Sequence, residues 1–169
     1  MTPLPYRWNH AGQPPEILAG LSMDGTTLTL EAEVRAPDSP TPETFPGGFE
    51  ADLWKADVVE LFLALPDQPN AYLEFNFAPD GRWWGAEFEN LRKLRSELPG
   101  STCRVAAHAL PAGDGWRVQA AILLGFAPGQ GNLCGILGQE PRRFASLADI
   151  PTPKPDFHQP EHFVALPIQ

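Results

Sequence analysis

Hydrophobic and polar residues alternate along much of this chain with the two-residue period of a β-strand. In segment 28–36 (LTLEAEVRA), Leu28, Leu30, Ala32 and Val34 would share one face, with polar residues on the other. An Asp-Gly turn just before this segment fits a hairpin. Other strand-like segments are 16–23, 57–65, 71–78, 82–89, 101–110, 116–124, 132–140 and 162–168.

One segment has the spacing of a helix instead. A short helix is predicted over residues 90–98, with Asn90 as its cap and Leu91, Leu94 and Leu98 on one face. The 20 prolines and 15 glycines fall between the apolar runs, as turns would. The pattern therefore predicts an all-β fold, an antiparallel, jelly-roll-like β-sandwich with one short helix.

Three predicted strands bring polar and aromatic side chains into one row. If residues 66–70 form a loop and residues 79–81 a turn, Glu60 lies opposite Asn76, and Asn76 lies opposite Trp84. Tyr72, Glu74, Phe62 and Phe88 belong to the same face. The opposite face is apolar and should form the core: Val59, Leu61, Leu63, Leu73, Phe75, Phe77 and Trp83.

This mixed face favours a binding surface for a small polar ligand. Aromatic rings stack on the C–H faces of sugars, while carboxylates and amides bind hydroxyl groups. The alternative is an ordinary solvent-facing sheet whose aromatic residues only support the strands.

Length and charge narrow the classes of function. The 169 residues suit one domain, and a net charge of −9 with a pI of about 4.8 disfavours nucleic acid and anionic membranes as partners. No secretory leader or membrane-spanning run is seen, so a cytoplasmic location is expected. Cys103 and Cys134 lack metal-site spacing and are expected to be reduced core residues.

Three segments carry a family resemblance. Residues 53–63 (LWKADVVELFL), 71–84 (AYLEFNFAPDGRWW) and 154–168 (KPDFHQPEHFVALPI) resemble the DOMON-like proteins related to family 9 carbohydrate-binding modules. The resemblance implies one β-sandwich domain over residues 1–169 that binds a sugar on its concave sheet without chemistry.

The resemblance also implies roles for individual residues. Trp54 would stack on the ligand, Trp84 would form the floor, and Glu60, Glu74, Asn76 and Arg82 would hydrogen-bond to it. The second clamping tryptophan of sugar-binding members is absent, and Phe144 or Phe157 could take its place. In a secondary group, residues 155–158 (PDFH), Asp156 and His158 could bind a metal or orient Lys154, or the segment could form a tight turn that fixes the last strand.

The sequence leaves open whether the protein binds calcium, and it allows two other functions. No cofactor is expected except calcium, for which Asp52 and Asp57 are the nearest candidate ligands. Glu60 and Glu74 could instead serve a glycoside hydrolase. A protein-interaction domain, with the aromatic face at an interface, is the other alternative. The sequence does not identify the ligand or the oligomeric state.

Overall fold

A computed structural model describes residues 1–8, 16–36, 39, 44–138 and 141–169, within which fourteen strands and three 3-10 helices lie. In chain order the strands are β1 (Thr2–Pro3), β2 (Tyr6–Trp8), β3 (Glu16–Asp24), β4 (Thr27–Arg35), β5 (Gly48–Phe49), β6 (Val58–Ala64), β7 (Tyr72–Phe77), β8 (Arg82–Asn90), β9 (Lys93–Glu97), β10 (Cys103–Ala109), β11 (Gly115–Leu123), β12 (Gln130–Leu137), β13 (Arg143–Ser146) and β14 (Val164–Ala165). The 3-10 helices are Leu53–Lys55, Pro111–Gly113 and Pro160–His162.

The strands form two sheets packed face to face. The smaller sheet has the order β1-β3-β4-β11-β10, and the larger one the order β2-β13-β12-β6-β7-β8-β5. Strand β14 also pairs with β12, and β9 also pairs with β8. All these named strand pairs are antiparallel except β5 with β8. The expected antiparallel β-sandwich is therefore confirmed.

The main core lies between the two sheets and follows the predicted alternation. Leu28, Leu30, Ala32 and Val34 on β4 are each 0% exposed, whereas Glu31 between them is exposed. They share one cluster with the inner face of the larger sheet: Val59, Leu61, Leu63, Leu73, Phe75, Phe77 and Trp83. Both faces predicted to be apolar thus meet in the core. Cys103 and Cys134 are buried and free, as expected.

The turns between β6, β7 and β8 have the predicted lengths. The Leu65 N–H donates to the Ala71 carbonyl over 3.0 Å and closes the first loop. In the second turn the Ala78 N–H donates to the Arg82 carbonyl, and Gly81 has a φ of +82°, a left-handed conformation that glycine adopts without strain. These two turns fix the register of the three strands that carry the candidate site.

The predicted helix over residues 90–98 is wrong, because this segment forms a hairpin. Strand β8 continues to Asn90 and β9 begins at Lys93, with Arg92 left-handed at a φ of +54° in the turn. Leu91 and Leu94 are 50% and 51% exposed, so most of the apolar face expected of a helix lies in solvent, and only Leu98 of the three leucines packs against the main core. Pairing with β8 satisfies the backbone instead, and the Asn90 side chain accepts the Leu91 N–H.

Other boundaries differ from the sequence pattern. The last predicted strand, 162–168, shortens to the two residues of β14, because Pro160–His162 forms a 3-10 helix before it. Residues 139–140 of another predicted strand lie outside the described residues. No helix in the described part of the chain is long and apolar enough to cross a membrane.

Residues near the C-terminus cover the outer face of the larger sheet. Phe157 and Phe163 are 5% and 8% exposed and belong to a second apolar cluster with Phe62 and Tyr72, both 0% exposed. The Phe62 and Phe163 ring centroids lie 6.0 Å apart. The face that carries the polar row is therefore largely enclosed rather than open to solvent.

Candidate functional site

The polar row that the sequence predicts crosses the outer face of β6, β7 and β8. Glu60 pairs with Asn76, and Asn76 pairs with Trp84, in the predicted register. The cross-strand partner of Glu74 is Ala86. Since side chains two residues apart on a strand share a face, Glu74 and Asn76 point to the same side of the sheet.

A cavity of about 480 Å³ lies over this row, within the range of ~300–1,000 Å³ that is typical of small-molecule sites. Carboxyl groups, two arginines and several aromatic rings surround it. The lining residues are Trp54, Glu60, Glu74, Trp84, Phe88, Arg92, Ile136, Arg142, Phe144, Pro155, Asp156, Phe157 and His158.

The rim of the cavity is held by an arginine that joins two loops. Arg142 donates from Nη2 to the carbonyl oxygens of Trp54 and Ala56, both over 2.8 Å, and from Nε to the Gly138 carbonyl over 3.3 Å. The Trp54 side chain, in the first 3-10 helix, remains 48% exposed. Its ring therefore lies at the cavity mouth on an anchored backbone, with Nζ of Lys55 over the ring, 5.5 Å from its centroid.

Trp84 is oriented by a partner on the neighbouring strand. Its indole Nε1–H donates to Oε1 of Glu97 over 2.8 Å. Its ring meets Phe88 edge-on, with centroids 6.5 Å apart, and Phe88 stacks on Tyr72 at 5.0 Å. These contacts form a continuous aromatic wall along one side of the cavity.

Hydrogen bonds beneath the cavity link Arg92, Tyr72 and His158, and the His158 ring approaches Glu74. The Arg92 backbone N–H donates to the Tyr72 hydroxyl over 3.3 Å, and that hydroxyl lies 2.7 Å from Nδ1 of His158. If the Tyr72 hydroxyl donates to Nδ1, a neutral His158 carries its proton on Nε2, which lies 3.5 Å from Oε2 of Glu74. The Asn76 amide donates to Oε1 of Glu74 over 2.8 Å.

Burial shifts the protonation of the site. It raises the pKa of Glu74 to about 7, while the Asn76 hydrogen bond and Arg92 act in the opposite direction. Burial, followed by repulsion from Glu74, raises the pKa of Glu60 well above its usual value. Burial also lowers the pKa of His158 to about 4 and raises that of Tyr72 to about 12. Burial thus favours the neutral form of the imidazole and of both carboxyl groups.

Two solved structures resemble this fold. No protein-family model and no curated protein sequence matches the chain. A candidate carbohydrate-binding protein from Bacteroides uniformis is 18% identical with a TM-score of 0.79, covering 99% of this chain and 85% of that one. A family 9 carbohydrate-binding module from Caldicellulosiruptor kristjanssonii, solved with glucose, is 17% identical with a TM-score of 0.66, covering 95% and 80%. The chain shares the β-sandwich fold of these proteins.

Most of the residues proposed from the sequence lie around the cavity. Trp54, Glu60, Glu74 and Trp84 line it, and so do Asp156 and His158 from the secondary group. Phe144 and Phe157, considered as substitutes for a second clamping tryptophan, line it as well. Their roles in binding stay predictions.

Three proposed residues lie away from the cavity lining. Asn76 is 0% exposed and is not among the lining residues; it lies beside Glu74 on the same face and donates a hydrogen bond to it. Arg82 forms ion pairs with Asp80, over 2.7 Å, and with Glu50. Lys154 is exposed and is not among the lining residues.

Sequence reasoning missed the two arginines at the cavity. Arg92 was assigned to the predicted helix, and only the hairpin brings it to Asp156, to which it donates over 2.6 Å. Arg142 comes just after the predicted strand 132–140, at the start of a stretch with no periodic pattern. Neither position carries a local signal, because the contacts that bring these arginines to the cavity, with Asp156 and with the Trp54 carbonyl, join residues that are distant in sequence.

The two candidate calcium ligands do not fit a common metal site. Asp57 is 5% exposed, and its carboxylate accepts hydrogen bonds from the Ser39 hydroxyl and, over 2.8 Å, from the Gly138 N–H. Asp52 instead pairs with Lys55 at the surface. In the described part of the chain, no group of three or more His, Cys, Asp and Glu side chains could hold a metal ion.

Proposed function

We propose that this protein binds a carbohydrate non-covalently in the cavity over β6, β7 and β8. The observation that supports it most is the combination of aromatic walls with two enclosed carboxyl groups in one cavity of about 480 Å³. Aromatic faces suit the C–H surfaces of a sugar ring, and carboxyl groups suit its hydroxyls. The two structural neighbours, one solved with glucose, add support at the level of the fold.

The proposed roles follow from exposure and anchoring. Trp54, held by Arg142 at the mouth, stacks on the sugar ring, and Phe144 or Phe157 contacts its other side. Glu60 hydrogen-bonds to hydroxyl groups from the floor. We also propose a DOMON-like relationship and a single domain, and the cytoplasmic location stays a prediction.

Calorimetry with a panel of mono- and disaccharides tests the proposal. Replacing Trp54 by alanine should weaken binding by about 1–3 kcal/mol, as for other buried aromatic contacts. Phe45→Ala is the matched control, since Phe45 is 45% exposed and does not line the cavity. Equal affinities of the two variants for a sugar that the wild type binds would exclude Trp54 as the platform, and no binding by the wild type would refute the function.

A glycoside hydrolase is the second candidate, and one observation favours it. Glu60 and Glu74 are 3% and 4% exposed, so both have the desolvation that a carboxylic acid needs in order to stay protonated at neutral pH. Chromogenic glycosides test this function, with Glu60→Gln as the control. Turnover by the wild type that the variant lacks would replace the binding function with catalysis.

The structure does not favour the interaction-domain alternative. Phe62 and Tyr72, two aromatic residues on the proposed interface, are 0% exposed because the chain's own C-terminal residues cover them. A partner protein could reach Trp54 at the cavity mouth, but not these rings.

A further inference from the structure

The two carboxyl groups in the cavity have few partners within the chain. Glu60 is 3% exposed and lines the cavity, and no hydrogen bond from the described residues reaches its carboxyl. Oε2 of Glu74 is buried and also lacks a hydrogen bond there, although Nε2 of His158 lies 3.5 Å away. A buried acid without partners is costly to ionise, so a ligand that supplies a positive charge gains more here than at the surface.

The nearby arginines hydrogen-bond to other groups. Arg92 donates to Asp156 over 2.6 Å, and Arg142 donates to the carbonyl oxygens of Trp54 and Ala56 over 2.8 Å. Within the described residues, neither guanidinium forms an ion pair with Glu60 or with Glu74.

The aromatic lining also suits a cation. Tryptophan and phenylalanine rings attract positive charge through their faces, most strongly where water is excluded. Five such side chains line the cavity together with the carboxyl groups: Trp54, Trp84, Phe88, Phe144 and Phe157. The net charge of −9 would further draw cations toward the protein.

We propose that the preferred ligand is an amino sugar whose protonated amine lies between Glu60 and Glu74. This inference rests on the proposed function, because the rest of the ligand is the sugar that Trp54 is expected to stack on. The ammonium group donates hydrogen bonds to the carboxylates, which neither arginine of the cavity lining does within the described residues. A neutral sugar of the same shape binds more weakly, because it cannot form charge-assisted hydrogen bonds with these carboxylates.

The exchange of charge releases a proton. In the free protein the carboxyl pair retains a proton, which leaves for solvent when the ammonium binds and the carboxylate forms. The other titratable or charged groups around the pair are Tyr72, Arg92, Cys134, Arg142, Asp156 and His158. Because burial already favours the neutral form of His158, we assign the released proton to the carboxyl pair.

Calorimetry with D-glucosamine, D-glucose and N-acetyl-D-glucosamine at pH 6.5 tests the inference. Two buffers with different ionisation enthalpies report the number of protons released. We expect glucosamine to bind at least about tenfold more tightly than glucose and to release about one proton, whereas the acetylated sugar shows neither effect. Equal affinities for glucosamine and glucose would overturn the inference and leave the proposed function standing. Binding of none of the three sugars would overturn both.

A variant ties the preference to one residue. Glu60→Gln should reduce the ratio of glucosamine to glucose affinity by about tenfold, because the amide cannot supply a negative charge. Glu31→Gln is the control, since Glu31 is exposed on the smaller sheet and should leave the ratio intact. Melting curves verify that both variants fold. An unchanged ratio in a folded Glu60→Gln variant would contradict the assignment.

Discussion

Replacing Glu74 by glutamine should change how the stability of the protein depends on pH. Burial raises the pKa of Glu74 to about 7 in the folded state, against about 4.5 expected for the unfolded chain. A raised carboxyl pKa gives stability that is fully present below the unfolded pKa and is lost as the pH rises through the folded one. The difference of about 2.5 pKa units corresponds to about 3 kcal/mol.

The assay is urea unfolding of the wild type and of Glu74→Gln at several pH values from 4.5 to 8. Relative to the wild type, the variant should gain about 3 kcal/mol of unfolding free energy between the two ends of this range. Any change in its contacts with Asn76 or His158 that does not depend on pH shifts the whole curve, so it cancels from this difference.

Glu89→Gln is the control, because the pKa of Glu89 is lowered whereas that of Glu74 is raised. The hydrogen bond from Lys93 lowers the pKa of Glu89, so this carboxylate is ionised in both states above the unfolded pKa. The difference between this variant and the wild type should therefore stay constant above about pH 5.5. If Glu74→Gln also gave a constant difference from pH 4.5 to 8, the raised pKa and the proton held at the site would both be wrong.

Three further substitutions test other parts of the structure. Burial lowers the pKa of His158 to about 4, so the stability that its neutral ring contributes is lost as the pH falls below about 6.5. The stability of His158→Gln relative to the wild type should therefore fall as the pH rises from 4 to 6.5, which urea unfolding measures. Asp57→Ala leaves the buried Ser39 hydroxyl and the partly buried Gly138 N–H without this acceptor and should cost about 3 kcal/mol, measured by urea unfolding. Gly115→Ala would place a Cβ 1.9 Å from the Val34 carbonyl oxygen at a φ of +140°, and should lower the free energy of unfolding by more than about 3 kcal/mol. Gly100→Ala is the control, because Gly100 has open space around it, and it should change that free energy by less than about 0.5 kcal/mol. Thermal melts of both variants measure the difference.

Local patterns predicted the parts of this fold that depend on neighbouring strands. The alternation at Leu28–Val34 predicted a buried face, and two short turns were enough to pair Glu60 with Asn76 and Asn76 with Trp84. These predictions succeed because a strand has a strict period of two, and a short turn fixes the register of a hairpin.

The rest of the site depends on contacts between segments that are distant in sequence. His158 meets Tyr72 across 86 residues, and Arg142 meets the Trp54 carbonyl across 88. The segment with Leu91 and Leu94 had helical spacing, but its pairing with β8 decided its structure. No local pattern indicates such contacts. The sequence therefore predicted the polar row but not the C-terminal residues that cover it.

Two buried acidic residues of this fold, Asp57 and Glu60, differ in their hydrogen-bond partners. Asp57 has its oxygens occupied by Ser39 and Gly138, so it stabilises the loops beside the cavity and its removal should unfold them. Glu60 is buried to a similar degree, at 3% against 5%, yet the described residues give it no hydrogen bond. Burial without partners costs free energy in the folded state. A residue with such a cost is kept in a protein where it serves binding. Under the proposed function, Glu60→Gln should therefore stabilise the protein while weakening its affinity for an amine, whereas replacing Asp57 should destabilise it.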